Sequence, residues 1–321
     1  MFVVDYAQLS VHRLMVADAI RTGTYRKALA ATIKPGDVVL DAGAGTGIMA
    51  MLAVQAGAGK VYAVERSGIV EIARRLVEQN GMGDRIEVIH SDVESVELPE
   101  QVDAIVGEWM GCYGVDENLL APVIVARDRW LKPGGSVLPE AVTAWMAPIE
   151  DEDLAAGLAF WHSRPYGLDL GPVAEGSANE VRMGHHDSTA DKLLAEPEEL
   201  WRTDVRAVTV EEARRPLGAQ LRFSARRQGR LSALAAWFVA RFPDGSTLTN
   251  APDAAETHWG RSVFPLNWPI AVDPGDRIEV GFACEPAGPG YCRQRWSVRV
   301  GAGDWEHHDT LRDAAVPGED G

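Results

Sequence analysis

Glu108 and Glu117 stand nine positions apart in a glycine-rich stretch that follows the apolar run 102–106. Gly111 and Gly114 lie between them and permit sharp turns, so the two carboxylates can converge on one small target. Two fixed carboxylates suit a flat cation that makes paired hydrogen bonds, and the guanidinium group has this shape. The alternative is that both acids are solvated loop residues or cap the next helix.

A second set of small residues precedes this stretch. Gly43, Gly45 and Gly47 occupy alternate positions after the predicted strand 38–41. Small residues there let backbone amides near a helix N-terminus approach a ligand closely. A dinucleotide-binding fingerprint would need a small residue where Ile48 stands, and a phosphate-binding loop would need a Lys-Ser or Lys-Thr pair, which the sequence lacks here.

Asp41 ends that strand, and Glu65 ends the next one, 24 positions later. A carboxylate at Asp41 repels a pyrophosphate but attracts the amino group and the sulfonium of S-adenosylmethionine. Glu65 can accept hydrogen bonds from both ribose hydroxyls of such a ligand. The pattern therefore predicts a site for S-adenosylmethionine, with an ordinary α/β nucleotide fold that binds NAD as the alternative.

Alternating strands and helices position these residues. The apolar patterns predict strands over 38–41, 60–65, 85–89 and 102–106 and helices over 6–33, 48–56, 68–80 and 118–131. This alternation, with short connections, predicts an α/β fold with a doubly wound parallel sheet. Ligands bind beyond the carboxyl ends of such strands, so Asp41, Glu65, Asp92 or Glu94, and Glu108 should share one crevice.

The pattern changes after a turn predicted at 132–135. Residues 151–205 are mixed and polar and give no clear assignment. From about residue 205 onward, polar and apolar residues alternate, as they do in half-buried antiparallel strands. The sequence thus predicts a second part of the chain that is rich in β-structure.

Length and composition limit the functional class. With 321 residues, 46% of them apolar, the chain can form two domains with good cores. A formal charge of −16 argues against a nucleic-acid binder and is compatible with a cationic substrate. Three cysteines do not suggest a disulfide framework. Because the sequence shows neither a signal sequence nor a run of about 18 apolar residues, we expect a cytoplasmic protein without membrane contact.

Four motifs occur together in one order, and with them the chain resembles the protein arginine methyltransferase family. They are 39–47 (Val-Leu-Asp-Ala-Gly-Ala-Gly-Thr-Gly), 64–67 (Val-Glu-Arg-Ser), 108–111 (Glu-Trp-Met-Gly) with Glu117, and 257–259 (Thr-His-Trp). The N-terminal run 6–26 is similar to the helices that cover substrate and cofactor in that family. The resemblance covers nearly the whole chain, residues 2–312, and is weak over 160–205.

The resemblance implies a fold and an assembly. Covering helices would occupy residues 1–35, and a Rossmann-like S-adenosylmethionine-binding domain would occupy 36–141. An antiparallel β-barrel domain would follow over 142–312, and its helical dimerisation arm, within 155–205, would make a head-to-tail homodimer. Residues 313–321 would form a disordered tail, in keeping with their glycine-, proline- and acid-rich composition.

The resemblance also implies roles for individual residues. Glu108 and Glu117 would clamp the substrate guanidinium, and His258 would pair with Asp18. Cofactor-binding residues, including those argued above, would be His12, Arg21, Asp41, Gly43, Gly45, Glu65, Val93 and Glu94. Tyr6, Met15 and Trp259 would line the substrate pocket, and no metal is expected.

The chemistry of arginine agrees with two carboxylates. Arginine keeps its proton near neutrality because its pKa exceeds about 12, so the reacting nitrogen needs a localised lone pair. Two carboxylates can draw the positive charge toward the far nitrogens and align the near one with the methyl group. Such positioning can supply roughly 7–11 kcal/mol of the barrier. The proton then leaves to a clamp carboxylate or to His258, which could instead be a structural link.

Some positions depart from the family pattern. Residues 112–116 replace a bulkier aromatic stretch, Leu119 stands where a methionine is found, and Phe2 stands where a tyrosine is usual. The substrate could therefore be arginine in a protein or peptide, or free L-arginine. A binding or scaffold protein that has lost catalysis is the alternative function, and the presence of Glu108, Glu117 and the other acids argues against it.

Overall fold

The computed structural model of the protein describes residues 8–288 and 291–310. The N-terminal part alternates helices and strands, which are α1 (Leu9–Ala17), α2 (Ala19–Thr32), β1 (Val38–Ala42), α3 (Ile48–Ala56), β2 (Lys60–Glu65), α4 (Val70–Gln79), β3 (Ile86–His90), β4 (Val102–Gly107), α5 (Leu120–Trp130) and β5 (Leu131–Leu138). The strands form one parallel sheet in the order β3–β2–β1–β4–β5, so the predicted α/β class is confirmed. The strand order reverses between β1 and β4, and ligands bind at such a switch point.

The helical region predicted over 6–33 consists of two helices, as the resemblance to covering helices implies. The break is at Asp18, whose extended backbone (φ −68°, ψ 96°) ends α1. The Asp18 side chain then accepts a hydrogen bond from the Arg21 N–H and caps α2. Aspartate is a preferred N-cap because its short carboxylate reaches the free amides of the first helical turn. Residues 1–7, which include Tyr6 and Phe2, lie outside the described residues.

The turn predicted at 132–135 lies within β5 as an insertion. Leu131 pairs with Val102, and the next pair joins Ser136 to Ala104, so five residues of β5 advance against two of β4. Gly134 has a φ of +80°, which glycine adopts without steric cost. The turn-forming residues therefore bulge out of the edge strand, and the strand continues after them.

The C-terminal part begins directly after β5. Its strands are β6 (Ala141–Ile149), β7 (Arg182–His185), β8 (Glu198–Asp204), β9 (Leu217–Ser224), β10 (Gly229–Arg241), β11 (Thr247–Thr249), β12 (Arg261–Val272), β13 (Arg277–Gly288), β14 (Tyr291–Val300) and β15 (Glu306–Asp309). The helices are α6 (Glu152–His162), α7 (Gly171–Ala178) and the short α8 (Val210–Ala213). The region that the sequence left unassigned thus contains α6, α7, β7 and β8.

The described strands of this part pair antiparallel in two sheets. One has the order β7–β12–β10–β6–β8, with β11 also paired to β10, and the other has the order β15–β14–β13–β9. Side chains from both sheets, such as Phe264 of β12 and Trp296 of β14, pack into one core. The antiparallel domain expected from the resemblance is confirmed, although the strand pairing within 8–288 and 291–310 does not close into a single ring.

Contacts between the two parts hold the N-terminal helices in place. Tyr25 of α2 is fully buried and packs edge-on against Phe242, with ring centroids 5.0 Å apart. Its hydroxyl donates to the Gly107 carbonyl at the end of β4, at 3.2 Å. One side chain thus joins α2 to the parallel sheet and to the antiparallel domain.

No helix in the described ranges is long and apolar enough to cross a membrane.

Asn250 connects the antiparallel domain to the segment after β4. It is 1% exposed, and its Oδ1 accepts from the Phe238 N–H at 2.9 Å. Its Nδ2 donates to the Cys112 carbonyl at 2.7 Å and also to the Gly260 carbonyl. The sequence did not single out Asn250, because nothing local marks an asparagine whose partners are distant in the chain.

We predict that Asn250→Ala lowers the free energy of unfolding by about 1–3 kcal/mol, because it leaves one N–H and two carbonyls buried without a partner. Chemical denaturation followed by tryptophan fluorescence measures this change. Asn80→Ala is the control, since the exposed Asn80 amide donates only to the Leu76 carbonyl. Equal effects of the two substitutions would contradict a connecting role for Asn250.

Candidate functional site

A crevice of about 170 Å³ lies at the switch point between β1 and β4. The parallel sheet supplies its floor, and α1 and α2 cover it. Of the residues predicted for the site, those that line the crevice are His12, Met15, Arg21, Asp41, Gly43, Gly45, Glu65, Val93, Glu94 and Glu108. Asp18, Glu117, His258 and Trp259 are not among the described lining residues, and Tyr6 lies outside the described residues. The carboxyl ends of the strands therefore bring together most of the predicted cofactor residues.

The glycine loop between β1 and α3 has an unusual backbone. Gly43, Gly45 and Gly47 all have positive φ angles, of +82°, +55° and +79°. A Cβ atom on Gly45 would lie 3.0 Å from the His12 ring, so the imidazole rests on the loop. The loop thus needs glycine both for its backbone angles and for the close approach of α1.

The Glu65 carboxylate is fixed by the backbone. It is 7% exposed, and its two oxygens accept from the Gly45 N–H at 2.9 Å and the Ser67 N–H at 2.7 Å. An ionised carboxylate has about four acceptor positions, so each oxygen can accept a further hydrogen bond. Glu65 is therefore suited to bind two neighbouring hydroxyl groups, such as those of a ribose.

Asp41 also has a structural role, which its position at a strand end does not reveal. Its carboxylate is 1% exposed and accepts from the Ala50 N–H, in the first turn of α3, at 2.9 Å. Burial raises the pKa of Asp41 to about 7, although the hydrogen bond from Ala50 opposes this shift. Asp41 thus orients the N-terminus of α3 toward the crevice that it also lines.

Arg21 and Glu108 form an ion pair in the crevice. The Glu108 Oε2 accepts from Arg21 Nη2 at 3.1 Å and from Nε at 3.3 Å. The other Glu108 oxygen accepts from the Met110 N–H at 3.1 Å, and Arg21 Nη1 donates to the Met15 carbonyl at 3.4 Å. The residue predicted to bind the methionine carboxylate therefore lies beside the first predicted clamp residue.

Residues 108–117, here called the two-glutamate loop, reverse direction at 111–114. Gly111 and Gly114 form an isolated β-bridge, with a φ of +99° at Gly114. The Asp116 carboxylate is 3% exposed and accepts from the Cys112 and Tyr113 N–H groups at 2.9 and 3.1 Å. The sequence carries one signal for this residue, an acid two positions after Gly114 of the glycine turn. Glu117 is half-buried at the end of the loop.

Asp18 and His258 join α2 to the antiparallel domain. The Asp18 Oδ2 lies 2.8 Å from His258 Nδ1 and accepts from the His258 backbone N–H at 2.9 Å. Burial alone would raise the pKa of Asp18, but the hydrogen bonds from His258 and from the Arg21 N–H outweigh it and hold the pKa below the usual value. The predicted pairing of these two residues is present in the structure.

Trp259 lies next to this pair and supports the two-glutamate loop. It is 5% exposed, and its Nε1–H donates to the Met110 carbonyl at 2.9 Å. Its ring packs edge-on against Phe238, with centroids 5.0 Å apart. The side chain predicted to line the substrate pocket thus holds the backbone two residues after Glu108.

Val93 and Glu94 belong to the connection between β3 and β4. The Glu94 carboxylate pairs with Arg214, from the antiparallel domain, at 2.8 Å, and the Glu94 carbonyl accepts from Arg129 at 2.8 Å. Val93 packs against the sheet. Contacts with the antiparallel domain, with α5 and with the parallel sheet therefore fix this connection, to which the resemblance assigns adenine binding.

Asp41 generates a prediction about pH. Its pKa is about 7 in the folded protein but near 3.9 in an unfolded chain, so the folded state binds more protons between these values. Its contribution to the free energy of unfolding therefore falls as the pH rises from about 4 to about 7. We expect the melting temperature of the ligand-free protein to decrease more steeply over this range than that of Asp41→Asn, whose amide oxygen can still accept from Ala50.

Differential scanning fluorimetry in a pH series measures the two slopes. Asp37→Asn is the control, because Asp37 also accepts from a backbone N–H, that of Lys34 at 2.8 Å, but lies in a surface turn. The prediction fails if Asp41→Asn and Asp37→Asn have the same slope.

Comparison with protein-family models gives two matches. The methyltransferase domain model matches residues 39–135, and the model of the arginine methyltransferase oligomerization subdomain matches residues 140–295. Together they cover the parallel sheet and most of the antiparallel domain.

Individual proteins are similar over nearly the whole chain. Protein arginine N-methyltransferase 6 of Xenopus laevis is 37% identical over 309 residues, which cover 93% of this chain and 91% of that protein. Protein arginine N-methyltransferase 6 of Danio rerio is 38% identical over 300 residues, covering 89% and 85%.

Solved structures agree with these matches. Protein arginine methyltransferase 10 of Arabidopsis thaliana superposes with a TM-score of 0.80 at 30% identity, over 95% of this chain and 99% of that one. A Trypanosoma brucei PRMT1 enzyme–prozyme heterotetrameric complex with AdoHcy gives a TM-score of 0.84 at 28% identity, over 95% and 98%. The chain therefore belongs to the protein arginine N-methyltransferase family, whose methyltransferase domain uses S-adenosylmethionine.

Proposed function

We propose that this enzyme transfers a methyl group to a guanidino nitrogen of arginine in a protein or peptide, with Glu108 and Glu117 as the clamp. One observation carries the proposal. The Glu108 Oε2 already accepts two hydrogen bonds from a guanidinium group, that of Arg21. The names of the relatives support protein arginine as the acceptor. Free L-arginine is the competing acceptor.

The crevice fits S-adenosylmethionine, which would supply an electrophilic methyl carbon on a sulfonium. Glu65 would hold the ribose hydroxyls, because its two oxygens are fixed and keep free acceptor positions. Gly43 and Gly45 would allow the amino-acid part to approach the backbone, and Arg21 would bind its carboxylate. The half-buried Val93 and the neighbouring Glu94 would contact the adenine, while His12 covers the glycine loop.

Glu108 and Glu117 would bind the substrate guanidinium and localise a lone pair on the nitrogen nearest the methyl group. Glu108 is well suited to this, because Met110 orients one oxygen and a cation already lies beside the other. We assign His258 a linking role, since both its backbone N–H and its ring bond to the carboxylate that caps α2. The proton of the methylated nitrogen would then pass to a clamp carboxylate.

We predict that Glu108→Gln and Glu117→Gln each lower kcat by about 10²-fold, because an amide cannot localise charge on the guanidinium. The affinity of the Glu117→Gln variant for S-adenosylhomocysteine, measured by calorimetry, should change much less than its kcat. The assay uses labelled S-adenosylmethionine with an arginine-rich peptide, a protein lysate and free L-arginine, and products are identified by mass spectrometry.

The same assay separates the alternatives. Transfer to free L-arginine but not to peptide or protein would reassign the acceptor, and no transfer to any guanidine would overturn the proposed function in favour of a binding protein. Asp18→Asn and His258→Ala should lower kcat by similar factors if the pair is a link. A much larger loss for His258→Ala would make His258 the base.

We also propose a head-to-tail homodimer. The arm formed by α6 and α7 exposes apolar side chains, most of all Tyr166 at 99% and Leu168 at 60%. The covering helices α1 and α2 expose a second apolar set, Leu9, Leu14, Val16 and Ile20. The match to an oligomerization subdomain supports a pairing of these two surfaces between copies.

We predict that the Tyr166→Asp/Leu168→Asp variant is monomeric, because two charges cannot be buried without partners in an apolar interface. Light scattering after gel filtration should give 34.8 kDa for the variant and twice that mass for the wild type. Thr247→Asp, in an exposed position of β11, is the control and should remain dimeric. A variant that keeps the wild-type mass would exclude this arm surface from the interface.

A further inference from the structure

Asp116 is a buried acid with no part in the proposed clamp. It immediately precedes Glu117, and its side chain turns inward, with 3% exposure. One oxygen accepts from the Cys112 N–H at 2.9 Å, and the other accepts from the Tyr113 N–H at 3.1 Å. The carboxylate therefore spans the turn of the two-glutamate loop and bonds to the backbone between the two glutamates.

Gly111 provides the space for this carboxylate. A Cβ atom on Gly111 would lie 2.5 Å from the Asp116 carboxyl carbon and from both of its oxygens. Gly111 is not among the described glycines with positive φ, so its backbone conformation does not require glycine. The contact with Asp116 is the reason for a glycine here, and the two residues form a matched pair.

The ionised form of Asp116 is destabilised by its burial. Burial raises its pKa to about 6, while the hydrogen bonds from the loop backbone oppose the shift. Burial and the nearby Asp116 charge both raise the pKa of Cys112 and of Tyr113. In the described part of the chain, no cation lies within ion-pair distance of Asp116. A buried charge without a counter-ion destabilises a fold, and groups with a strongly shifted pKa cluster at functional sites.

We infer that Asp116 is a positioning residue for methyl transfer: it locks the two-glutamate loop so that Glu117 meets the substrate guanidinium opposite Glu108. The inference rests on the proposed function of the two glutamates. Asp116 would not touch substrate or cofactor. It acts through the backbone of 112–113, where the Asn250 amide donates to the Cys112 carbonyl, and the Cys112 thiol in turn donates to the Trp259 carbonyl.

The test is a double-mutant cycle on Gly111 and Asp116. Asp116→Asn keeps the size of the side chain but replaces one acceptor with an N–H2 group, so one of the two backbone bonds is lost. Gly111→Ala keeps the charge but displaces the carboxylate. We expect each substitution to lower kcat about tenfold, with the KM for peptide and the affinity for S-adenosylhomocysteine within about twofold of the wild type.

The double-mutant cycle compares the wild type with Gly111→Ala, Asp116→Ala and the double variant. Gly111→Ala should cause no further loss of kcat in the Asp116→Ala background, because the new methyl group then occupies vacated space. Asp244→Asn is the matched control, since Asp244 accepts from the Ser246 N–H at 3.1 Å in an exposed turn. It should keep wild-type kcat. Gly111→Ala changes no charge and buries no new polar group, so it tests the inference even if an Asp116 variant does not fold.

Two results would overturn the inference. One is wild-type kcat for a folded Asp116→Asn or Gly111→Ala variant, and the other is an additive loss in the Gly111→Ala/Asp116→Ala double variant. If Glu117→Gln also leaves kcat unchanged, the proposed function fails first. If Glu117→Gln lowers kcat and the Asp116 variants do not, only the positioning role of Asp116 fails.

Discussion

The carboxylate of Asp18 is the contact on which the site depends. One oxygen caps α2 and so sets the position of Arg21, three residues later. The other oxygen binds both the backbone and the ring of His258, which is 240 positions away in the chain. One group thus joins the helix that covers the crevice to the antiparallel domain, in addition to the Tyr25 contacts. Breaking this contact would be costly, because it would leave a charge without a partner at a buried position.

Three of the carboxylates that line the crevice are oriented by backbone N–H groups. Asp41 accepts from Ala50, Glu65 from Gly45 and Ser67, and Glu108 from Met110. Backbone donors carry no net charge, so Asp41 and Glu65 are oriented without being neutralised, whereas Glu108 also pairs with Arg21. The site proposed here for a sulfonium and a guanidinium needs carboxylates of this kind. The parallel sheet supplies them because its strand ends and glycine turns leave amides free.

The sequence predicted the parallel sheet well because its strands are buried apolar runs separated by amphipathic helices. It also predicted that Asp41, Glu65 and Glu108 share a crevice, which follows from strand direction alone. The break at Asp18, the bonds of Asp41 to α3 and the inward turn of Asp116 were not predicted. In each case a short polar side chain could bind solvent, a ligand or a nearby backbone amide. Tertiary packing determines which of these it binds. The arm was equally unclear, because its helices have apolar residues on surfaces that do not face the core of their own chain.

The insertion at 132–135 has a consequence for the behaviour of the protein at high concentration. β5 ends the described parallel sheet on one side, so its outer backbone groups could pair with a strand from another molecule. The insertion interrupts that row: Pro133 has no N–H to donate, Gly134 turns the backbone, and the Lys132 ammonium binds Asp103 at 2.8 Å. An irregular edge of this kind pairs poorly with a strand from another molecule, so the glycine-rich turn disfavours edge-to-edge association of the sheet.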